Sequence, residues 1–390
     1  MIKVCVITAT RAEFGLLSNL IKKLYSDKDC VLQLIVTGSH LSEEFGLTYK
    51  EIELEGIPIN LKIPILAGSS ESRLLQTMSN AIIKIGEAIH QLQPDVVVLL
   101  GDRYEIHAIA SACVILKVPI AHISGGEISE GAFDEYFRHS ITKLSYLHFT
   151  STEEYRDRVI QMGEHPDRVY NVGDLGIENI NTLKFMNKNE IEKDLGIKLW
   201  GKVLQVTFHP VTLEQNSVRD MEELFLALEE RPQYQVIITR PNADTGFNEF
   251  NDVIDTYVKR NNLRFFVFES LGYRRFLSLL KHCVAIIGNS SSGIVEAPAI
   301  GIGSINIGSR QQGRISAASV LHIPPSKQSI LKAIDYIETA EYQNVLLKIV
   351  SPYQSNGTSS KIVDTLKHVV PKFLNRHKSF YQITNGVANE

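Results

Sequence analysis

The sequence predicts an α/β protein in which two Rossmann-like, doubly wound parallel-sheet domains face each other across a cleft. Its 390 residues exceed one domain of about 150 residues and fit two or three. Short runs rich in Val, Ile and Leu alternate with helical patterns almost throughout the chain. Such continuous apolar strands are typical of parallel sheets that helices cover on both faces.

The predicted elements follow one another in an alternating order. Ten runs are predicted to be strands, at residues 3–8, 31–37, 96–100, 120–123, 148–150, 203–208, 235–239, 264–268, 284–287 and 303–307. Helical patterns lie between them, at residues 71–91, 104–116, 218–230 and 274–281. The alternation of predicted strands and helices is interrupted near residues 171–176, and a polar helical stretch over 184–194 precedes the next strand. We therefore expect one domain over residues 1–174 and a second over 175–366.

Composition and charge exclude several classes of protein. Lys and Arg total 40 against 44 Asp and Glu, a net charge of −4, which argues against a nucleic-acid binder. No apolar stretch approaches the roughly 20 residues of a membrane span, and Met1 leads directly into a strand, which leaves no secretory leader. The four cysteines are far apart in sequence, so we expect neither a disulfide framework nor a zinc site. We expect a cytoplasmic protein.

Polar side chains follow six of the predicted strands at their carboxyl ends, where open parallel sheets bind ligands. These segments are residues 8–13, 101–103, 124–127, 209–210, 240–242 and 288–293. The last of them, GNSSSG, precedes a helical pattern over 294–300 and resembles a phosphate-binding turn. Glu296 then lies within reach of ribose hydroxyls, and the alternative is an ordinary serine N-cap. There is no GxxxxGK[ST] motif, and the first strand does not lead into GxGxxG.

Four side chains near these strand ends could move protons: Asp102, Glu127, Asp134 and His209. Each has an ordinary alternative, since Asp102 could cap the following helix and Asp134 could pair with Arg138 one turn later. Three carboxylates and one imidazole beside a phosphate site are nevertheless the inventory for acid–base chemistry on a sugar nucleotide.

The sequence resembles the hydrolysing UDP-N-acetylglucosamine 2-epimerases, whose fold is glycosyltransferase-B-like. The resemblance runs through most of residues 1–320, on the segments TRAEFG, VTGSHLSEEFGLTYKEIE, GDRYE, HISGGE, DEYFRHSITKLS, FHPVT, PNADTG, GNSSSGIVEAP and INIGSRQQGR. It implies contacts with UDP from Arg11, Arg103, Asn242, Ser290, Ser291, Glu296, Arg310 and the backbone near Leu271. It also implies acid–base roles for Asp102, Glu127, Asp134 and His209.

The resemblance carries further expectations about architecture and partners. Many relatives have Glu where this chain has Ser124, so we expect Glu127 to be the functional carboxylate of that loop. A last helix, here over roughly residues 367–380, is expected to return to the first domain, so that 367–390 form a returning helix and a polar tail that is loosely held beyond Asn375. No cofactor and no metal are implied. The expected partners are a UDP-linked sugar and other copies of the chain, in a homo-oligomer (dimer or tetramer).

The implied reaction converts UDP-N-acetylglucosamine and water into N-acetylmannosamine and UDP, through elimination of UDP and hydration of the glycal with inversion at C2. The nearest alternative is the same reaction on UDP- or GDP-linked N,N′-diacetylbacillosamine, on the legionaminic acid route. A non-hydrolysing epimerase, a retaining glycosyltransferase of the same fold and a sugar-nucleotide sensor without activity are further alternatives. HISGGE and DEYFRH favour the hydrolysing branch.

Overall fold

The computed structural model describes residues 1–68, 70–130, 132–211, 217–241, 247–353, 357–373 and 377–383. Within these residues the chain forms two sheets in which every strand pair is parallel. The first sheet has the order β3-β2-β1-β4-β5-β6-β7. Its strands are β1 (Ile2–Thr8), β2 (Cys30–Thr37), β3 (Leu61–Ile63), β4 (Val96–Leu100), β5 (Ile120–Ile123), β6 (Leu147–Thr150) and β7 (Val169–Asn171).

The second sheet has the order β10-β9-β8-β11-β12-β13. Its strands are β8 (Lys202–Thr207), β9 (Tyr234–Thr239), β10 (Phe265–Phe268), β11 (Ala285–Gly288), β12 (Gly303–Ile307) and β13 (Val320–Ile323). In each sheet the chain order reverses beside the first strand, between β1 and β4 and between β8 and β11. That reversal opens a crevice at the carboxyl edge of the sheet.

Helices connect the strands. They are α1 (Arg11–Ser26), α2 (Tyr49–Leu54), α3 (Glu71–Asn80), α4 (Gly86–Leu92), α5 (Tyr104–Ile115), α6 (Asp134–Leu144), α7 (Glu153–Gln161), α8 (Leu175–Thr182), α9 (Lys188–Leu195), α10 (Ser217–Glu229), α11 (Phe247–Arg260), α12 (Gly272–Leu280), α13 (Glu296–Ile300), α14 (Lys327–Tyr336), α15 (Ala340–Leu347) and α16 (Thr358–Phe373). A π-helical turn, Ala81–Ile85, joins α3 to α4, so the pattern predicted over 71–91 is one nearly continuous helix. Among the described helices, none is long and apolar enough to cross a membrane.

Both faces of each sheet are buried, which confirms the predicted fold class. On β1, Val4 and Val6 join one apolar cluster, and their neighbours Cys5 and Ile7 join the cluster on the opposite face. Alternate residues of a strand point to opposite faces, so a strand that is apolar at every position requires a cover on each side. The second sheet has apolar clusters of the same kind on its two faces.

All ten predicted strands are present within one residue at each end, but β3, β7 and β13 were not predicted. These three are short strands at the edges of their sheets. An edge strand is covered less completely, and their partly exposed side chains do not produce the apolar run by which the inner strands were found. The helical stretch predicted over 184–194 is also wrong in its first part, since α8 ends at Thr182 and α9 begins at Lys188.

The returning helix, α16, begins before the expected residue 367 and ends before the expected residue 380. Its first turn is fixed where the two expected domains meet: Thr358 Oγ1 donates to the carbonyl of Val172 at 3.0 Å, and the Ser359 amide donates to Glu178 at 3.0 Å. Lys367, expected to open the helix, instead lies within it and pairs with Asp27 at 2.8 Å.

Residues 377–383 are docked against the first domain, which corrects the expectation of a loosely held tail for this stretch. Lys378 Nζ pairs with the Glu164 carboxylate at 2.8 Å, and the Tyr381 amide donates to the carbonyl of Gly163 at 2.8 Å. Glu164 is fully buried and also accepts from Lys143 at 2.6 Å and from His148 at 3.0 Å. Burial alone would raise the pKa of Glu164, but hydrogen bonds from these three side chains outweigh it and lower the pKa to about 2.

This cluster predicts a pH-dependent loss of stability in Glu164→Gln. Because removing the carboxylate takes the ion-pair partner from the half-buried Lys143 and Lys378 and the hydrogen-bond partner from the buried His148, we expect the free energy of unfolding to fall by about 2 kcal/mol at pH 7. The native pKa of about 2 lies below the ordinary value of 4.5, so the contribution is present above pH 4.5 and declines as the pH falls from there. Urea unfolding at several pH values measures it. Glu153→Gln, at a carboxylate that is 61% exposed, is the control, and an equal loss in both variants would contradict the prediction.

Candidate functional site

A buried guanidinium contacts both loops that follow β4 and β5 at their carboxyl ends. Arg138 on α6 is 2% exposed and pairs with the Asp102 carboxylate and, at 2.8 Å, with Glu135. Its Nη1 also donates to the main-chain oxygen of Glu127 at 3.1 Å. Burial and the neighbouring charge of Arg314 lower the pKa of Arg138, while the two carboxylates stabilise its charged form. Asp102 therefore stands in the site as the partner of a buried cation.

Asp102 does not cap α5, which was its ordinary alternative. The N-cap residue of that helix is Arg103, and it makes no side-chain capping bond. Asp102 follows Gly101, whose φ of +81° turns the chain out of the strand, and its carboxylate is 27% exposed. The buried His122 fixes the same turn through a 2.7 Å contact between its Nε2 and the carbonyl of Gly101. The carboxylate thus has both a fixed position and access to solvent.

Glu135 is a member of the site that the sequence analysis did not name. Its carboxylate accepts from the Ser129 amide at 2.6 Å, from Arg138 at 2.8 Å and from His139 at 2.9 Å. It therefore fixes the loop that precedes α6, whose first residue is the predicted site residue Asp134. The spacing of Glu135 from Arg138 and His139, three and four residues along a helix, was the available signal.

Glu127 lies in the loop after β5 but is engaged at both carboxylate oxygens. One oxygen pairs with Arg314 of the second domain, and the other accepts from the Ser151 hydroxyl at 3.3 Å. Its side chain is 7% exposed. Ser124, in the same loop, has a φ of 66°, in the left-handed region that costs a residue other than glycine about 1 kcal/mol. The loop is therefore tightly specified, and the carboxylate of Glu127 is held across the cleft.

In the second domain, Asn289 fixes the backbone of His209. The Asn289 side chain accepts from the His209 amide at 2.7 Å and donates to the His209 carbonyl at 2.8 Å. Asn289 is fully buried, and the sequence analysis did not single it out. The preceding Gly288 has a φ of 143°, and a Cβ there would lie 2.0 Å from the Thr207 carbonyl, so β11 must end in glycine for the two strands to meet.

The Gly/Ser turn after β11 differs in shape from the helix start expected at residue 294. Ser291–Gly293 form a single 3-10 turn, Ser290 caps it by accepting from the Ser292 amide at 3.3 Å, and α13 begins only at Glu296. Ser290 and Ser291 are partly exposed at the carboxyl edge of the sheet. Arg310 reaches the same turn and donates to the carbonyl of Asn289 at 3.2 Å.

Glu296 is half-buried beside a second acid, Asp174. Burial and the charge of Asp174 raise the pKa of Glu296 to about 7, and burial and the charge of Glu127 raise the pKa of Asp174 to about 6. Within the described part of the chain, Glu296 Oε2 has no hydrogen-bond partner. A hydroxyl that donated to this oxygen would stabilise the carboxylate and lower its pKa.

Of the remaining predicted contacts, Arg11 and Leu271 lie near each other where the two domains meet. Arg11 is the first residue of α1, pairs with Glu51 at 3.0 Å, and its Nη2 is buried without a partner among the described residues. A Cβ on Gly272 would lie 3.8 Å from Arg11, and the buried Leu271 precedes Gly272 directly. Arg103 pairs with Glu105 at 2.6 Å. Asn242 lies outside the described residues. No cluster of three or more His, Cys, Asp or Glu side chains within the described ranges could hold a metal ion.

Comparison with known proteins agrees with this architecture. A Neisseria meningitidis UDP-GlcNAc 2-epimerase, solved with UDP-GlcNAc bound, has a TM-score of 0.79 and 20% identity, with 93% of this chain and 99% of that chain covered. This likeness shows the fold, a glycosyltransferase-B-like pair of domains.

Sequence relatives are closer. The chain is 40% identical to the GDP/UDP-N,N′-diacetylbacillosamine 2-epimerase (hydrolyzing) of Campylobacter jejuni, over 98% of this chain and 99% of the relative. It is 36% identical to the polysialic acid biosynthesis protein P7 of Escherichia coli, over 98% of each chain. A profile of the UDP-N-acetylglucosamine 2-epimerase family matches residues 22–367. The chain therefore belongs to the UDP-N-acetylglucosamine 2-epimerase family of nucleotide-sugar 2-epimerases.

Proposed function

We propose that this protein is a hydrolysing 2-epimerase of a UDP-linked 2-acetamido sugar. It eliminates UDP and adds water to the resulting glycal, with inversion at C2. The observation that carries the proposal is the fixed carboxylate of Asp102, paired with the buried Arg138 and 27% exposed at the carboxyl edge of the first sheet. Hydrolysing relatives of high similarity support the same reaction.

The chemistry requires UDP to leave first. The hydrogen at C2 has no adjacent carbonyl and is not acidic until the C1–oxygen bond breaks and positive charge develops on the ring. Arg11, Arg310 and the turn of Ser290 and Ser291 would stabilise the negative charge that grows on the diphosphate. One preorganised donor of this kind typically contributes roughly 3–4 kcal/mol to the transition state. Glu296 would accept from the ribose hydroxyls through its unpartnered oxygen.

Two different groups must then act on the two faces of C2, because one group can hardly reach both faces of a fixed ring. We assign one transfer to Asp102 and the other to Asp134 at the start of α6. Of the two further candidates of the sequence analysis, Glu127 fits proton transfer less well than Asp134, since both of its oxygens already accept hydrogen bonds. His209 would hold the diphosphate or protonate the leaving oxygen.

For the sugar, we propose N,N′-diacetylbacillosamine first and N-acetylglucosamine second. The sequence analysis favoured the second, but the relative with 40% identity is a hydrolysing epimerase of the first. The polysialic acid protein, at 36% identity, supports N-acetylglucosamine as the alternative. The two sugars differ at C4 and C6, where an apolar or acetamido contact replaces a hydroxyl partner.

We also propose that the protein is a homo-oligomer. Large apolar side chains are exposed on the neighbouring helices α3 and α5 and the π-helical turn, at Leu75, Ile83 and Ile115, which are 70%, 58% and 73% exposed. Exposed apolar side chains on neighbouring helices are typical of a protein interface, and a second copy is the commonest partner. The cytoplasmic location stays a prediction.

The sugar assignment predicts a preference between two substrates. With purified protein and either UDP-N,N′-diacetylbacillosamine or UDP-N-acetylglucosamine, we expect UDP and a free 2-epimerised sugar, and kcat/KM at least about 10-fold higher for the first. Proton NMR identifies the products, and a coupled assay measures UDP. Accumulation of a UDP-linked epimer would contradict hydrolysis, and a reversed preference would establish the second sugar.

Asp102→Asn tests the proton-transfer role. The amide keeps the shape of the side chain but cannot accept the proton, so we expect kcat to fall by about 10³-fold, while UDP binds within a few-fold of wild type. Asp157→Asn, at an aspartate that is 71% exposed on α7, is the matched control. Steady-state kinetics and calorimetric titration with UDP provide the measurement. Turnover retained in Asp102→Asn would remove this residue from the mechanism.

A further inference from the structure

The contact between Glu127 and Arg314 crosses from one domain to the other. Arg314 lies between β12 and β13 and is 10% exposed, and its partner Glu127 is 7% exposed. Burial would lower the pKa of Arg314, but the Glu127 carboxylate raises it. The two side chains form an ion pair that is largely shielded from solvent, and each stabilises the other.

On the first domain, Arg138 connects Glu127 to Asp102. The main-chain oxygen of Glu127 accepts from Arg138 Nη1 at 3.1 Å, and the same guanidinium pairs with Asp102. The loop that carries Glu127 is fixed independently by Ser151, whose hydroxyl donates to the carboxylate at 3.3 Å. A displacement of Glu127 would therefore reach Asp102 through one residue, Arg138.

On the second domain, Gln311 and Asn289 connect Arg314 to His209. Arg314 Nη1 approaches Gln311 Oε1 at 3.4 Å, and Gln311 Nε2 donates to the carbonyl of Asn289 at 2.9 Å. The Asn289 side chain in turn binds both the amide and the carbonyl of His209. Gln311 is 2% exposed, so this connection is shielded from water.

The backbone around Arg314 is held by contacts that do not involve its side chain. Gly313 has a φ of +80°, and a Cβ there would lie 2.5 Å from Ile128, so the loop packs directly on the first domain. Tyr155 and Tyr353 share a hydrogen bond of 2.8 Å, and Tyr353 donates to the carbonyl of Ile315 at 2.9 Å. The domains thus contact each other here without the Arg314 side chain. Its guanidinium connects the hydrogen-bonded residues that lead to Asp102 with those that lead to His209.

We propose that Arg314 is a positioning residue for the epimerase reaction, which links Asp102 of one domain to His209 of the other through its ion pair with Glu127. The inference rests on the proposed function. It gives Glu127 a positioning role in place of the acid–base role expected from the sequence. In the proposed function both linked side chains act on one bound nucleotide sugar, and a misplacement of about 1 Å can reduce a rate by roughly 10²-fold.

The test compares Arg314→Met, Arg314→Lys, Glu127→Gln and the double variant Glu127→Gln/Arg314→Met, with Arg260→Met at an exposed site on α11 as the control. We expect kcat to fall by about 30- to 100-fold in Arg314→Met and Glu127→Gln, with the Kd of UDP within about threefold of wild type. Arg314→Lys should recover part of kcat. The double variant should lose no more than the single ones, because all break the same connection.

A second readout needs no turnover. The imidazole resonances of His209, assigned with His209→Gln, are followed by NMR in wild type and in Glu127→Gln, whose change lies in the other domain. The inference predicts that these resonances shift in Glu127→Gln and not in Arg260→Met. Unchanged His209 resonances, or losses in kcat that multiply in the double variant, would overturn it. A wild-type protein inactive on both sugars would overturn the proposed function instead, while the resonances would still decide whether the residues are linked.

Discussion

A single buried cation organises the candidate site on the first domain. Arg138 cannot lie 2% exposed without carboxylate and carbonyl partners, because an unpaired charge in the interior is very costly. Its partners come from three places, the loop after β4, the loop after β5 and the first turn of α6. These three segments therefore converge on the guanidinium. The position of Asp102 is a consequence of that requirement.

In the second domain, the backbone of His209 is held in place without a buried charge. There Asn289 binds both main-chain polar groups of His209, and Gly288 allows β11 to approach β8 closely enough for this contact. An amide side chain is suited to this role, because it can donate and accept at once. The two domains therefore present fixed groups from opposite sides, one by an ion pair and the other by an amide.

The inner strands could be predicted from the sequence, because most of their residues are apolar and turn residues bound them. Edge strands such as β7 have no such pattern, and the start of α16 was placed too late because its first turn depends on contacts with Val172 and Glu178, distant in sequence. The candidate site residues were predicted from their place at strand ends and from the family resemblance. What sequence could not provide was pairing: Glu127 looks like a free acid until Arg314, 187 residues away, is seen to hold it.

The proposed mechanism depends on removal and return of the C2 proton, and the fate of that hydrogen tests the mechanism most directly. The protein is incubated with the preferred nucleotide sugar in ²H₂O, and the released sugar is analysed by proton NMR and mass spectrometry. Elimination followed by hydration predicts one deuterium at C2 in essentially every product molecule, with the configuration at C2 inverted. Release of a free sugar that retains its original hydrogen at C2 would contradict the mechanism, because UDP would then have left without any transfer at that carbon.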